Sequence, residues 1–187
     1  MSRSAAVLVP GPKLEVIYNG VVLPERREYV EPAKPTVLSI ARLSPEKGID
    51  VLLKAAQASP DIAFLIAGDG PERTALEASA LPNVTFLGFR KDIPELLAQA
   101  TLVAVPSRQE GLGLAAVEAL AAGVPVIASN VGGLSEVVVP NKTGLLVPPD
   151  DPAALTEALR SLIIVKLKWF LVRVFGNGIP LGFFSSL

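Results

Sequence analysis

Three features of this 187-residue sequence predict an α/β fold built on a parallel sheet. From Pro35 to about Leu162, short β-branched apolar runs alternate with alanine- and leucine-rich amphipathic runs, the rhythm of βαβ units. Helix punctuation falls where that rhythm needs it, with Gly123 as a stop and Asp151-Pro152 as a start. The polar, glycine-rich segments follow the strand-like runs, so in a parallel sheet they share one rim.

The elements follow in chain order. Leu14 to Tyr18 reads as a short strand leading into an Asn19-Gly20 turn, and the proline- and charge-rich Leu23 to Pro35 as an irregular linker. Strands are expected at 36–40, 62–67, 84–87, 101–105 and 125–129, with helices near 48–58, 71–80, 93–100 and 112–122. Asp151 as N-cap and Pro152 at the first helical position open a last helix, 152–163. After Leu162 the composition changes, and Trp169, Phe170, Phe175, Phe183 and Phe184 stand among Lys166, Lys168 and Arg173. A membrane span needs about 20 largely apolar residues. Those charges interrupt the run, so the tail reads as a divergent or frame-shifted terminus. An interfacial basic-aromatic anchor, attaching the protein to a membrane surface, is the second reading. The chain thus divides into a linker remnant (1–34), one α/β domain (35–162) and a divergent apolar tail (163–187).

Composition removes several function classes. Half of the residues are hydrophobic, enough for one core. The net charge is −1, with lysine and arginine dispersed, which is not the footprint of a nucleic-acid binder. With no cysteine and no histidine, disulfides, thiolate or histidine–metal sites, cysteine nucleophiles and histidine bases are excluded within the chain. Arg3 precedes an apolar run, Ala5 to Val9, that is too short for a signal peptide, so a cytoplasmic protein is expected, peripheral at the membrane if the tail is an anchor. Asn141-Lys142-Thr143 matches the glycosylation sequon and reads as a chance match in a turn.

The segment from Glu110 to Glu118 carries most of the functional information. Gly111 and Gly113 sit before a run in which every side chain from Leu112 to Ala122 except Glu118 is apolar or absent. Such a helix is expected to be buried on nearly all sides, and a buried carboxylate there needs a partner. Either a core arginine or lysine pairs with Glu118, or a ligand does. Glycines at a helix start let a ligand approach the free N–H groups, which favour phosphate, so a phosphorylated ligand bearing hydroxyls fits. Gly111 to Ala116 also matches G-x-G-x-x-A, the dinucleotide fingerprint. That reading fails, because Pro106 to Glu110 separate strand from turn and no acid ends the next strand at Ser129-Asn130. Arg42, Lys47, Gly68-Asp69-Gly70, Gly88-Phe89-Arg90, Ser107 to Glu110 and Val131-Gly132-Gly133 all fall on the rim beyond the strands. Taken singly, each is a loop charge or a turn; together they outline a site.

These residues resemble a known family. Ser39-Ile-Ala-Arg-Leu-Ser-Pro-Glu-Lys-Gly48, Ile66-Ala-Gly-Asp-Gly-Pro71, Val84-Thr-Phe-Leu-Gly-Phe89, Pro106-Ser-Arg-Gln-Glu-Gly-Leu-Gly-Leu114 through Glu118, and Gly144-Leu-Leu-Val-Pro148 occur in the order found in the C-terminal, donor-binding domain of retaining GT-B glycosyltransferases of the group 1, or family 4-like, kind. The resemblance covers about Val16 to Leu162 and implies a Rossmann-like parallel sheet flanked by helices, the C-terminal half of the GT-B architecture. It also implies a nucleotide-diphosphate sugar as donor and transfer of a hexosyl group with retention. Arg42 and Lys47 would neutralise the diphosphate, Glu110 would contact sugar hydroxyls, amides around Gly113 and Leu114 would cradle a phosphate, and Glu118 would bind the ribose. The implied catalytic residues are Glu110, Arg42 and Lys47. The implied donor-binding residues are Glu110, Gly111, Gly113, Leu114, Glu118, Gly88 and Arg90. No Asp-x-Asp is present, so neither a metal nor a cofactor is expected. The family's acceptor site, often with a histidine, lies in an N-terminal domain that this chain lacks, which makes it one half of a two-lobed enzyme. Two other readings compete: a stand-alone nucleotide-sugar binding module, and a sugar-nucleotide epimerase of the same architecture.

Overall fold

The computed structural model describes residues 32–79 and 81–164. Within them, strands β1 (Thr36–Ile40), β2 (Ala63–Ala67), β3 (Val84–Gly88), β4 (Leu102–Val105), β5 (Val126–Ser129) and β6 (Gly144–Val147) form one parallel sheet in the order β3-β2-β1-β4-β5-β6. The connecting helices are α1 (Ile49–Gln57), α2 (Arg73–Ala78), α3 (Ile93–Gln99), α4 (Leu114–Ala121), α5 (Leu134–Val137) and α6 (Pro152–Ile164). The expected strand at 14–18, the linker up to residue 31 and the tail from 165 onward lie outside the described residues.

The period of two along each strand sorts side chains between two cores. Val37, Leu102, Ala104 and Ile127 pack with α1, α2 and α6, while Leu38, Val103, Val105, Val126 and Ala128 pack with α3, α4 and α5. α1 shows why its sequence is helical: Ile49, Val51, Leu52, Leu53, Ala55 and Ala56 are buried, whereas Lys54 and Gln57 face water. Asn83 ties the end of α1 to the start of β2, its Nδ2 donating to the carbonyls of Ala56 (3.0 Å), Ser59 (3.0 Å) and Ile62 (3.1 Å). Asn83→Ala should therefore lower stability by about 1–3 kcal/mol, from the loss of hydrogen bonds worth roughly 0.5–1.5 kcal/mol each. Urea unfolding monitored by circular dichroism would show the lowered midpoint.

Both expected helix boundaries hold. The Asp151 side chain accepts the Ala154 N–H at 2.8 Å, capping α6. Gly123 N–H donates to Leu120 O (2.9 Å) and Val124 N–H to Ala119 O (2.8 Å), the paired closure of a Schellman turn. Three expectations are corrected. α4 begins at Leu114, not at 112, because Gly113 stands in the left-handed region at φ 81 and cannot belong to a right-handed helix. α6 runs to Ile164, one residue past the expected helix end at 163, with Leu162 buried in the core and Ile163 packed against it. Finally, Gly144–Val147 is a strand paired with β5, and Leu134–Val137 a short helix, where the sequence had suggested neither.

The chain runs outward from β1 to β3, then returns to the centre at β4 before running outward to β6. The switch point therefore lies between β1 and β4, and a crevice opens there at the carboxyl ends of the two strands.

Candidate functional site

A cleft of about 640 Å³ occupies that crevice. Arg42 and Lys47 line it from the β1 side; Ser107, Glu110, Gly113, Leu114 and Glu118 line it from the β4 side; Phe89 and Arg90 border it from the end of β3.

Arg42 sits in the loop after β1, which is pinned to the segment leaving β2 by Ala41 N–H to Ala67 O (3.0 Å) and Leu43 N–H to Asp69 O (2.9 Å). Lys47 ends a 3₁₀ turn, Pro45–Lys47, begun by proline and closed by Gly48 at φ 64. A Cβ on Gly48 would lie 2.1 Å from the Pro106 carbonyl oxygen, so this turn rests directly on the backbone leaving β4. That contact brings together two residues 63 positions apart: Lys47 Nζ donates to Glu110 Oε2 at 2.7 Å. Ser107 Oγ donates to the same oxygen at 3.2 Å. With side-chain exposures of 23% and 14%, the pair is largely shielded from water yet lines the cleft.

The first N–H groups of a helix lack intrahelical acceptors. At α4 these belong to the segment Gly113-Leu114-Ala115, whose three residues line the cleft. α4 is not buried on nearly all sides as its composition suggested. Only Ala116 and Ala119 are buried, Leu114 is 45% exposed, and the other face forms the cleft wall. Glu118 is accordingly half-buried, not enclosed, and among the described residues no arginine or lysine pairs with it. The acid that takes a cationic partner is Glu110.

The remaining expected residues are placed less directly. Gly88 is buried beside the Arg73 guanidinium, accepts the Gly68 N–H at 2.8 Å and is not among the cleft's lining residues. Gly111 borders the cleft without lining it, and a Cβ there would meet nothing within 4 Å. Arg90 lines the cleft but is already engaged with Asp92, through Nε to Oδ1 at 2.8 Å and a second bond from Nη2 to Oδ2. These bonds hold the Asp92 carboxyl below its usual range. Among the described residues no group of three His, Cys, Asp or Glu could hold a metal ion, and no helix is long and apolar enough to cross a membrane.

Arg108 was given no role by sequence reasoning. Its Nη1 and Nη2 donate to the two oxygens of Asp50, each at 2.8 Å, its Nη1 also to Pro45 O (2.6 Å), and its Nε to Asp150 Oδ1 (2.6 Å). The bonds donated by Arg108 hold the Asp50 carboxyl below its usual range, and the same bonds to Asp50 raise the guanidinium. The signal in the sequence was an arginine two positions before a suspected acid.

A family model described as "Glycosyl transferases group 1" matches residues 24–166. The D-inositol 3-phosphate glycosyltransferase of Mycobacteroides abscessus is 36% identical over 174 residues, which cover 86% of this chain and 39% of that protein. A GDP-mannose-dependent alpha-(1-6)-phosphatidylinositol monomannoside mannosyltransferase of Mycobacterium tuberculosis is 35% identical over 195 residues, covering 87% of this chain and 50% of that protein. Among solved structures, Anabaena HepE in complex with UDP-glucose is similar with a TM-score of 0.70 at 33% identity, covering 75% of this chain and 42% of that one. The chain thus spans between 39% and 50% of the length of these proteins.

Proposed function

We propose, from the premise that this chain belongs to the group 1 glycosyl transferases, that its cleft binds a nucleoside-diphosphate sugar for retaining transfer of a hexosyl group. The observation that carries this is the layout of the cleft: two cations, Arg42 and Lys47, on one wall, and the start of α4 set between Glu110 and Glu118 on the other. The diphosphate lies against Arg42, Lys47 and the N–H groups at Gly113 and Leu114. Glu118, four residues into the helix, accepts hydrogen bonds from the ribose hydroxyls, and Glu110 accepts them from the sugar. When the bond from the anomeric carbon to the diphosphate oxygen breaks, the electron pair leaves on that oxygen. Arg42 and Lys47 then offset the charge where it develops.

The acceptor is held by a second lobe outside these residues. The chain's 39% share of a full-length relative supports this, as does the absence of any histidine to stand beside the reacting sugar. Thermal unfolding with millimolar UDP-, GDP- and ADP-sugars tests donor binding, since a ligand present at about 100 times its Kd stabilises the native state by roughly 2.7 kcal/mol. One nucleotide series should raise the midpoint by several degrees; no rise with any of them overturns the proposal. With labelled donor and a panel of sugar and lipid acceptors, the chain alone should show no transfer.

A further inference from the structure

We propose that Arg108 is a positioning residue of this site, a clasp that presses the Pro45–Asp50 turn onto the loop leaving β4 and so holds Lys47 against Glu110. The inference rests on the donor-binding reading of the cleft. Arg108 itself is not among the lining residues, so it acts through others.

Four side-chain hydrogen bonds leave its guanidinium, to Pro45 O, to both oxygens of Asp50 and to Asp150 Oδ1. Its main chain joins in: Arg108 N–H donates to Glu46 O at 2.8 Å, and Gln109 N–H to the same oxygen at 3.3 Å. All but one of the residues that Arg108 grips flank Lys47 in sequence. Pro45 and Glu46 precede it, Asp50 follows it, and Glu110 stands two positions beyond Arg108 itself. The Lys47–Glu110 bond of 2.7 Å is therefore spanned on both sides by contacts from one residue. Asp150 extends the grip to the loop after the edge strand β6. It lies after β6 in a left-handed conformation, φ 56, that few non-glycine residues adopt, and its carboxylate takes the Arg108 Nε. The planar guanidinium can serve Asp50 with two parallel bonds while its Nε serves Asp150, a fork that a lysine ammonium cannot reproduce.

A clasp of this kind and a mere structural staple differ in one respect: the clasp weakens donor binding through Lys47. A double-mutant cycle on the full chain separates them, with nucleotide-sugar affinity read by NMR titration at 10 °C and thermal midpoints followed in parallel. Arg108→Lys should weaken binding about tenfold when Lys47 is present, and less than about twofold in a Lys47→Ala background. Asp150→Asn, which leaves the Asp50 pair intact, should show a smaller loss with the same dependence on Lys47, and it replaces Arg108→Lys in the cycle if that variant does not fold. Equal losses in both backgrounds, or no loss with Lys47 present, overturn the clasp while leaving donor binding standing. If the unsubstituted chain binds none of the UDP-, GDP- or ADP-sugars, the donor-binding reading falls and the clasp with it.

Discussion

Glu118→Ala should weaken binding of the free nucleoside diphosphate and of the intact nucleotide sugar alike, by about 10- to 150-fold, the loss of hydrogen bonds to a charged group worth roughly 1.5–3 kcal/mol. Its proposed contact is the ribose, which both ligands carry. Glu110→Ala behaves differently, because its proposed contact is the sugar and because its carboxylate already holds Lys47 at 2.7 Å. With it removed, the turn clasped by Arg108 still presents that ammonium to the diphosphate. Affinity for the nucleotide sugar should then fall while affinity for the diphosphate alone holds. Stability separates the two variants further. No described arginine or lysine pairs with Glu118, so its loss leaves the ligand-free midpoint unchanged. Loss of Glu110 strands a lysine whose side chain is only 23% exposed, and lowers it. Calorimetry with both ligands on both variants checks the division, and equal losses throughout would refute it.

Gly48→Ala carries a large expected cost to the fold, and it falls on the turn that holds Lys47. Alanine at φ 64 pays roughly 1–2 kcal/mol for the left-handed backbone. Its Cβ would also stand 2.1 Å from the Pro106 carbonyl oxygen, a backbone atom that no rotamer change can move aside. Overpacking of this kind adds about 1–3 kcal/mol, for a total of about 2–5. Relief requires the turn to lift from β4, which separates Lys47 from Glu110, so donor affinity should fall in whatever fraction remains folded. Gly111→Ala is the control. A Cβ there meets nothing within 4 Å, and stability should stay within about 0.5 kcal/mol of the parent. Denaturant unfolding of the two variants side by side reads the difference.

The alternation of apolar runs made five of the six strands and most helices legible to within two or three residues, because a strand between two packed helical layers leaves a short, nearly continuous apolar run. β6 escaped. Gly144-Leu-Leu-Val offers four residues with a single β-branched side chain, and what makes it a strand is pairing with β5, a contact invisible in its own composition. α5, at four residues, is too short for any period to show. The start of α4 was misplaced because the apolar run continues through Gly113, and only the backbone angle there shows that the helix has not begun. The same run misled about burial. An apolar helix face can line a cleft as well as a core, and Leu114 at 45% exposure does so. For the site, the rim rule gathered Arg42, Lys47, Glu110 and Glu118 correctly into one cleft. Which acid pairs with which cation could not be read, since Lys47 and Glu110 are joined by a turn resting on Pro106 and not by any periodicity.

The strand order also dictates when the cleft can come into being. β1 meets β2 after a single helical crossover, and β2 meets β3 after another, so one flank of the sheet can zip up from near neighbours. β1 meets β4 only across a much longer excursion: Thr36 N–H donates to Thr101 Oγ1, 65 residues away. Closing that span costs more chain entropy than any other pairing in the sheet and is the slow step expected of such a topology. Lys47 belongs to the early flank and Glu110 to the late one. The cleft is therefore the seam along which the two flanks of the sheet meet. A nucleotide sugar bound there, as proposed, would bridge both flanks and hold that seam closed.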